Sequence, residues 1–304
     1  MGFDFLGYRF APVTIAQRDL ISGILDRHPQ PLSDYCFASL LIWASVYRYH
    51  YAVTEPDTLL VSYAITPGAT PRLLQPLGVF LEPLQHALLT RARDLDEPLC
   101  IESVSADFLA RHAAFAGHFE TATVRDGANY VYAAEDLAEL PGRRYAGKRN
   151  LIAQASRLYS WSVAPLDASQ ANGCLAFSDD IAAKRTAETV VTHAQESAAL
   201  ACALRDFGAL GLQGVFVRVD GTPSAFSIFA RLSATTAVVL FERAQRSAKG
   251  LYQVINRETA RVIAAQGFAL INREEDLGDP GLRKAKLSYH PARLEMKHTL
   301  TFRG

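Results

Sequence analysis

The segment LQGVFVRVDG, TPSAFSIFARLS, TTAVVLFERA, covering residues 212–244 with a single-residue gap at Ala234, leaves this chain few folds to choose from. Three apolar runs rich in Val, Ile and Phe are joined by tight turns, the first marked by Asp220–Gly221, which reads as an antiparallel meander. An Ala-rich helical stretch over 178–208 precedes it, and a second helix over about 248–265 follows. Next come the strand FALINRE, a short cationic helix, and YHPARLEMKHTLTFR, which reads as a final β pair. The chain is therefore expected to be α/β, with a mixed sheet.

The first half shows a similar order. RFAPVTI reads as a strand, AQRDLISGILDR and DYCFASLLIWAS as helices, and TLLVSYAI and RLLQPLGVF as strands. EPLQHALLTRARDL is helical, PLCIESVS a strand and SADFLARHAAFAG a helix. FETATVRDGANYVYA then reads as a hairpin about the Asp126–Gly127 turn signal. After the turn-like ELPGRR the order starts again, with a basic helix over roughly 144–157 and the strand SWSVAPLD. A length of 304 residues accommodates two lobes, expected at 1–138 and 139–304.

Several function classes fall away. The four cysteines lie far apart in apolar surroundings and the histidines show no ligand spacing, so no metal site is expected and the thiols read as reduced core residues. MGFDFLGYRF has no basic region followed by an apolar run, and the apolar stretch LLIWASV is too short to span a bilayer. The expectation is a cytoplasmic protein. No G-x-S-x-G elbow and no dinucleotide-binding glycine fingerprint occurs.

Charge is sorted along the chain. Residues 1–140 carry 9 Lys/Arg against 17 Asp/Glu, and residues 141–304 carry 22 against 14, so a net charge of zero hides halves of −8 and +8. The run 141–166 has five cations and no acid. Two readings stand side by side: the halves attract each other, or the second half binds an anion.

Helix, three-strand meander, helix, strand, helix and β pair is the element order of the Gcn5-related N-acetyltransferase fold, here expected twice in tandem. NYVYAAEDLAELPGRRYAGKRNLI, GLYQVIN and INREEDLGDPGLRKAKLSYHP, three motifs in order between about 129 and 291, resemble the family of the C-terminal domain of lysylphosphatidylglycerol synthetase, in its soluble bacterial branch. The resemblance is weaker over 1–128. It implies two tandem acyltransferase-like lobes and, in the lipid-modifying relatives, transfer of an aminoacyl group from aminoacyl-tRNA to a polar acceptor. The block 272–291 differs from the corresponding segment of the lipid enzymes.

Candidate residues follow. Lys148, Arg149 and Asn150 open a basic helix in the acid-free run and are candidates for phosphate contact, the alternative being a solvated basic face. In RAQRSAKGLYQ, between the third meander strand and the next helix, Lys249, Gly250 and Tyr252 are placed to meet a phosphate, although the glycine spacing is not that of acetyl-CoA binders. Glu242 ends a central strand and is a candidate base, or a rim carboxylate paired with Arg243 or Arg246. Asn272 and Arg273 close a strand and could orient an acceptor and hold an anion. Glu274 or Asp276 could take a proton or bind an ammonium, and Tyr289 is the candidate acid.

Arg283, Lys284 and Lys286 are expected in the opening turns of a helix starting at Pro280, where cations oppose the dipole and an anion would relieve them. The alternative is an ion-pair cluster with Glu274, Glu275 and Asp276. No tightly bound cofactor is expected. The donor is read as aminoacyl-tRNA, gripped at its acceptor stem, or alternatively acyl-CoA. The acceptor is read as a small molecule, lipid headgroup or peptide. A catalytically silent anion-binding module on the same fold is the third reading.

Overall fold

The computed structural model describes residues 2–64, 69–183 and 190–304, and divides into two units. The first comprises Met1–Asn129, Glu275–Asp279 and Leu294–Gly304; the second comprises Tyr130–Glu274 and Pro280–Arg293. In chain order the strands are β1 (Phe3–Phe5), β2 (Tyr8–Pro12), β3 (His50–Thr54), β4 (Thr58–Tyr63), β5 (Arg72–Leu74), β6 (Leu77–Gly78), β7 (Cys100–Ser105) and β8 (Phe119–Ala133). They continue with β9 (Trp161–Pro165), β10 (Gln213–Val219), β11 (Thr222–Arg231), β12 (Thr236–Ala244), β13 (Leu270–Asn272) and β14 (Arg293–Phe302).

In the second unit the strands run in the order β8, β13, β12, β11, β10, β9, with β8 contributing its residues from Tyr130 onward. The expected meander is β10–β11–β12. Asp220 at φ +50° and Gly221 at φ +79° make the tight turn, directly between the paired residues Val219 and Thr222. Both central turn residues take the left-handed conformation that matches strand twist. β11 and β12 are buried along nearly their whole length. The helix Leu251–Ala265 covers them with Leu251, Val254, Ile255, Thr259, Ala260 and Ile263, all buried and spaced as one helical face. It leads to β13, which runs parallel to β12 through only three pairs, from Thr236↔Leu270 to Val238↔Asn272. β13 stops there while β12 continues to Ala244, so the two chains part beyond Asn272.

The first unit repeats this plan. Its order is β1, β2, β3, β4, β5, β7, β14, β8, with β6 on β4. Here β5 and β7 form the parallel pair, at Leu73↔Ile101 and Leu74↔Glu102, joined by the helix Glu82–Ala92. Its core holds Phe10, Leu60, Leu73, Leu88, Ile101, Phe108 and Phe115. Just past β5 the buried Gln75 closes the gap: its Oε1 accepts from Ser105 N (2.8 Å) and Oγ (2.9 Å).

Four expectations need correction. The division falls after Asn129, not after residue 138, and the C-terminal strand belongs to the first unit. The cause is β14, which pairs antiparallel with β7 at Lys297↔Ser105 and Thr301↔Cys100. The C-terminal segment is accordingly one strand, not a β pair. FETATVRDGANYVYA is likewise one continuous strand: Gly127 stays outside the left-handed region, and the Asp126 carbonyl accepts from Leu277 N at 3.0 Å. Finally, the helix Pro280–Leu287 is only two turns long, so Lys284 and Lys286 stand in its last turn, where cations favour the dipole. Among the described residues no helix is long and apolar enough to cross a membrane.

Candidate active site

Where β12 and β13 part, the gap is filled by charge. The Arg273 Nη2 donates to Glu242 Oε1 at 2.8 Å, with only 13% and 12% of the two side chains exposed. The Asn256 amide, turned with its oxygen toward the guanidinium, accepts from Nη1 and Nη2 at 3.1 and 3.2 Å. Asn256 comes from the covering helix, so strand, helix and the chain beyond β13 converge on one ion pair. Burial opposes the guanidinium charge most, but Glu242 and the neighbouring phenols more than offset it, and the pKa of Arg273 rises above its ordinary value.

Two tyrosine rings wall the pair. The Arg273 guanidinium carbon lies 5.3 Å from the Tyr289 ring centre and 5.8 Å from that of Tyr132. On Tyr289 a second cation is seated, the Lys148 Nζ at 4.0 Å. Tyr289 is 5% exposed, and burial, offset by Arg273 and reinforced by Glu242, pushes its phenol up to about 12, with a Gln253 hydrogen bond acting the other way. Tyr132 is raised too, by burial first. A phenol whose folded value lies above the ordinary tyrosine value of about 10 favours the folded state below that pH. The stability it brings is lost as pH rises from there to about 12. Absorbance titration of the wild type minus Tyr289→Phe should show this phenol ionising only at the upper end of that range.

The segment carrying Tyr289 is fastened at several points. Tyr132 Oη donates to the Lys286 carbonyl at 2.9 Å and Tyr145 Oη to the Tyr289 carbonyl at 2.9 Å. Lys148 Nζ donates to Ser288 Oγ at 2.6 Å, and Lys286 Nζ, itself buried, donates to the Arg273 carbonyl. Tyr132, Tyr145, Gln253 and Asn256 were not among the candidates. The aromatic-rich run NYVYA, buried throughout from Asn129 to Tyr132, was the available signal for the first of them.

The remaining candidates are dispersed. Asn272 is fully buried and its Oδ1 accepts from Glu274 N at 2.8 Å; Glu274 takes a left-handed φ of +55°, its carbonyl accepting from Tyr130 N. Asp276 belongs to the first unit, where it is 0% exposed, pairs with Arg125 at 3.2 Å and accepts from Gly278 N at 2.9 Å. Glu275, in the same unit, meets Lys297 at 3.4 Å and Asn129 at 3.2 Å. Arg149 is exposed, with its Nη1 on the carbonyl oxygens of Leu140 and Gly142. Asn150, Lys249 and Lys284 are exposed, and Tyr252 and Arg283 half-buried.

The loop 245–250 differs from a phosphate cradle. The N–H of Gln245 donates to Ser224 O, that of Ala248 to Gln245 O, and that of Lys249 to Tyr159 Oη. Gly250, at φ +84°, is explained by packing: a Cβ there would lie 2.2 Å from the Leu151 carbonyl oxygen and 3.2 Å from the Ala155 Cβ. Gly250→Ala should therefore cost on the order of 3 kcal/mol in chemical denaturation, with the helix Ala146–Leu158 forced away from the loop.

The model of the phosphatidylglycerol lysyltransferase C-terminal family matches residues 26–301, nearly the full chain. The chain belongs to that family. The family is named for an aminoacyl transfer. Among solved structures, a conserved protein of unknown function from Bacteroides thetaiotaomicron is 30% identical, over 97% of this chain and 99% of that one, with a TM-score of 0.89. The C-terminal domain of a putative lysylphosphatidylglycerol synthetase from Agrobacterium fabrum matches at 14% identity, over 96% and 93% of the two chains, with a TM-score of 0.65. A tandem GNAT protein from the clavulanic acid biosynthesis pathway matches at 12% identity, over 96% and 98%, with a TM-score of 0.53. No curated protein matches the sequence. The fold of the family is thus the tandem Gcn5-related N-acetyltransferase-like arrangement, and each unit carries its parallel strand pair.

Proposed function

We propose that this family member moves an aminoacyl group from aminoacyl-tRNA to an amine or hydroxyl acceptor, with the chemistry in the second unit. The observation that carries this choice of donor is the closed gap between β12 and β13. A pantetheine arm would need that gap open and would need the 245–250 loop to offer its N–H groups, whereas Arg273, Glu242 and Asn256 fill the one and internal partners hold three donors of the other. Charge supports the same reading. The second unit counts 20 Lys/Arg against 13 Asp/Glu, and Asn150, Lys249 and Lys284 are exposed on it as candidate phosphate contacts beside the half-buried Arg283. Lys286, buried on the Arg273 carbonyl, serves the site's architecture instead.

In this reading the ester carbonyl of the donor is attacked above Tyr289. The leaving ribose oxygen must be protonated, and a phenol kept protonated at neutral pH supplies that proton. Glu274 is assigned to the ammonium of the aminoacyl group, with its backbone fixed by Asn272 and Tyr130. Arg273 and Glu242 hold Tyr289 and Tyr132 in place. The acceptor stays unassigned among small molecules, lipid headgroups and peptides.

One observation favours a catalytically silent anion-binding module: Glu242 and Asp276, two of the candidate acid–base groups, are committed to ion pairs. Release of labelled amino acid from charged bulk tRNA separates the readings. Transferase activity should speed the release, with suppression between 50 and 200 mM salt, roughly the range over which phosphate contacts lose strength. Turnover of acetyl-CoA that tRNA leaves unchanged would contradict the donor assignment.

A further inference from the structure

The sequence suggests Lys148 as a phosphate contact, yet its side chain turns inward. Arg149 and Asn150, the next two residues of the same helix, are exposed, while Lys148 is half-buried. Its Nζ lies 2.6 Å from Ser288 Oγ and 4.0 Å above the Tyr289 ring. Among the described residues no carboxylate pairs with it. The three carboxylates considered as bases differ from it: Glu242 and Asp276 are tied to Arg273 and Arg125, and Glu274 has its backbone locked in a turn.

We propose that Lys148 is the proton acceptor of the transfer, taking the proton of the attacking amine or hydroxyl beside Tyr289; this rests on the aminoacyl-transfer reading of the same site. The step balances. The acceptor N–C or O–C bond forms as its proton passes to the Lys148 amine. The ester C–O bond breaks with its electron pair on the ribose oxygen, which takes the Tyr289 proton. Lys148 then releases a proton to solvent and Tyr289 regains one, so no net proton is gained or lost.

The surroundings suit an amine that gives up its charge easily. Facing Lys148 are Ser288 and Tyr289 from beyond the helix Pro280–Leu287, and the Arg273 guanidinium on the same Tyr289 ring, itself countered by Glu242 of β12. On the Lys148 side of the chain, Arg144 is turned to Asp136 and Arg149 to the carbonyls of Leu140 and Gly142. Burial, and then Arg273, hold the Lys148 pKa below the ordinary lysine value. The hydrogen bond to Ser288 and the Tyr289 ring face work in the opposite direction and keep the amine in position.

Two measurements test this on the full chain. Trace acetylation of the wild-type protein across pH, read lysine by lysine by mass spectrometry, should give Lys148 a midpoint below those of the exposed Lys249 and Lys284. A midpoint equal to theirs overturns the proposal. Binding of bulk tRNA across a salt series to Lys148→Gln should keep the wild-type salt slope, whereas a phosphate-contacting lysine would reduce the slope by about 1 on removal. A reduced slope also overturns the proposal. The acetylation needs neither a variant nor a donor, so it decides on Lys148 even if the wild type binds no tRNA, a result that would count against the donor assignment alone.

Discussion

Arg273→Ala is expected to destabilise the protein by about 3–5 kcal/mol, measured as a shift of the chemical denaturation midpoint, because it leaves a carboxylate buried without its partner. Glu242, 12% exposed, would keep its charge in the gap between β12 and β13, and the Asn256 oxygen would lose both donors. The cost of breaking such a pair is mostly that of the orphaned charge, so the double variant Glu242→Leu/Arg273→Met should be more stable than either single variant. If Arg273→Ala cost under about 1 kcal/mol, water would have to reach the gap freely, and the argument that it is closed to a pantetheine arm would fall.

Tyr289→Phe is expected to slow aminoacyl transfer by about 10²–10⁴-fold, the usual worth of a general acid, while lowering stability by only about 1 kcal/mol for the lost Gln253 hydrogen bond. The phenyl ring still seats Lys148 at one contact and Arg273 at the other, so binding and packing survive the change. Tyr289→Ala removes that seat as well and should cost several further kcal/mol in stability. The contrast between Phe and Ala separates proton donation from architecture. Transfer that is indifferent to Tyr289→Phe would favour the silent module.

The same dipeptide shows what could and could not be read from the sequence. Asp220–Gly221 makes the hairpin expected of it, because β10 and β11 pair directly across it, starting at Val219↔Thr222. Asp126–Gly127 runs straight through β8, since that strand lies between β14 and β13 and the Asp126 carbonyl is engaged by Leu277, some 150 residues on. Local turn chemistry yields to pairing supplied by distant chain. The strand exchange of β14 is hidden for the same reason: its sequence states that it is a strand, and nothing in it names β7 as its neighbour.

The site shows a similar division. Glu242 and Arg273 were legible at the ends of apolar strands, Lys148 at the start of a basic helix and Tyr289 just past a short cationic one, and the structure brings these four together. Which of them pair was not legible, because Arg273 was expected to meet a substrate anion and instead meets Glu242. The acids and cations of 274–286 looked like partners by proximity in sequence. The structure adds partners from distant chain that the sequence did not announce: Arg125 for Asp276, Lys297 for Glu275 and the Arg273 carbonyl for Lys286. Tyr145 and Gln253 carried no sequence signal, since each acts through one hydrogen bond whose partner lies far along the chain or on a separate element.

The most direct test of the central claim is equilibrium binding of labelled bulk tRNA across a salt series, with CoA as competitor. An aminoacyl-tRNA-dependent transferase should bind tRNA with affinity that falls steeply between 50 and 200 mM salt, roughly as the number of phosphate contacts dictates. CoA should leave that binding untouched, and Lys249→Ala and Lys284→Ala should each reduce the salt slope by about 1. Weak tRNA binding that CoA abolishes would contradict the account.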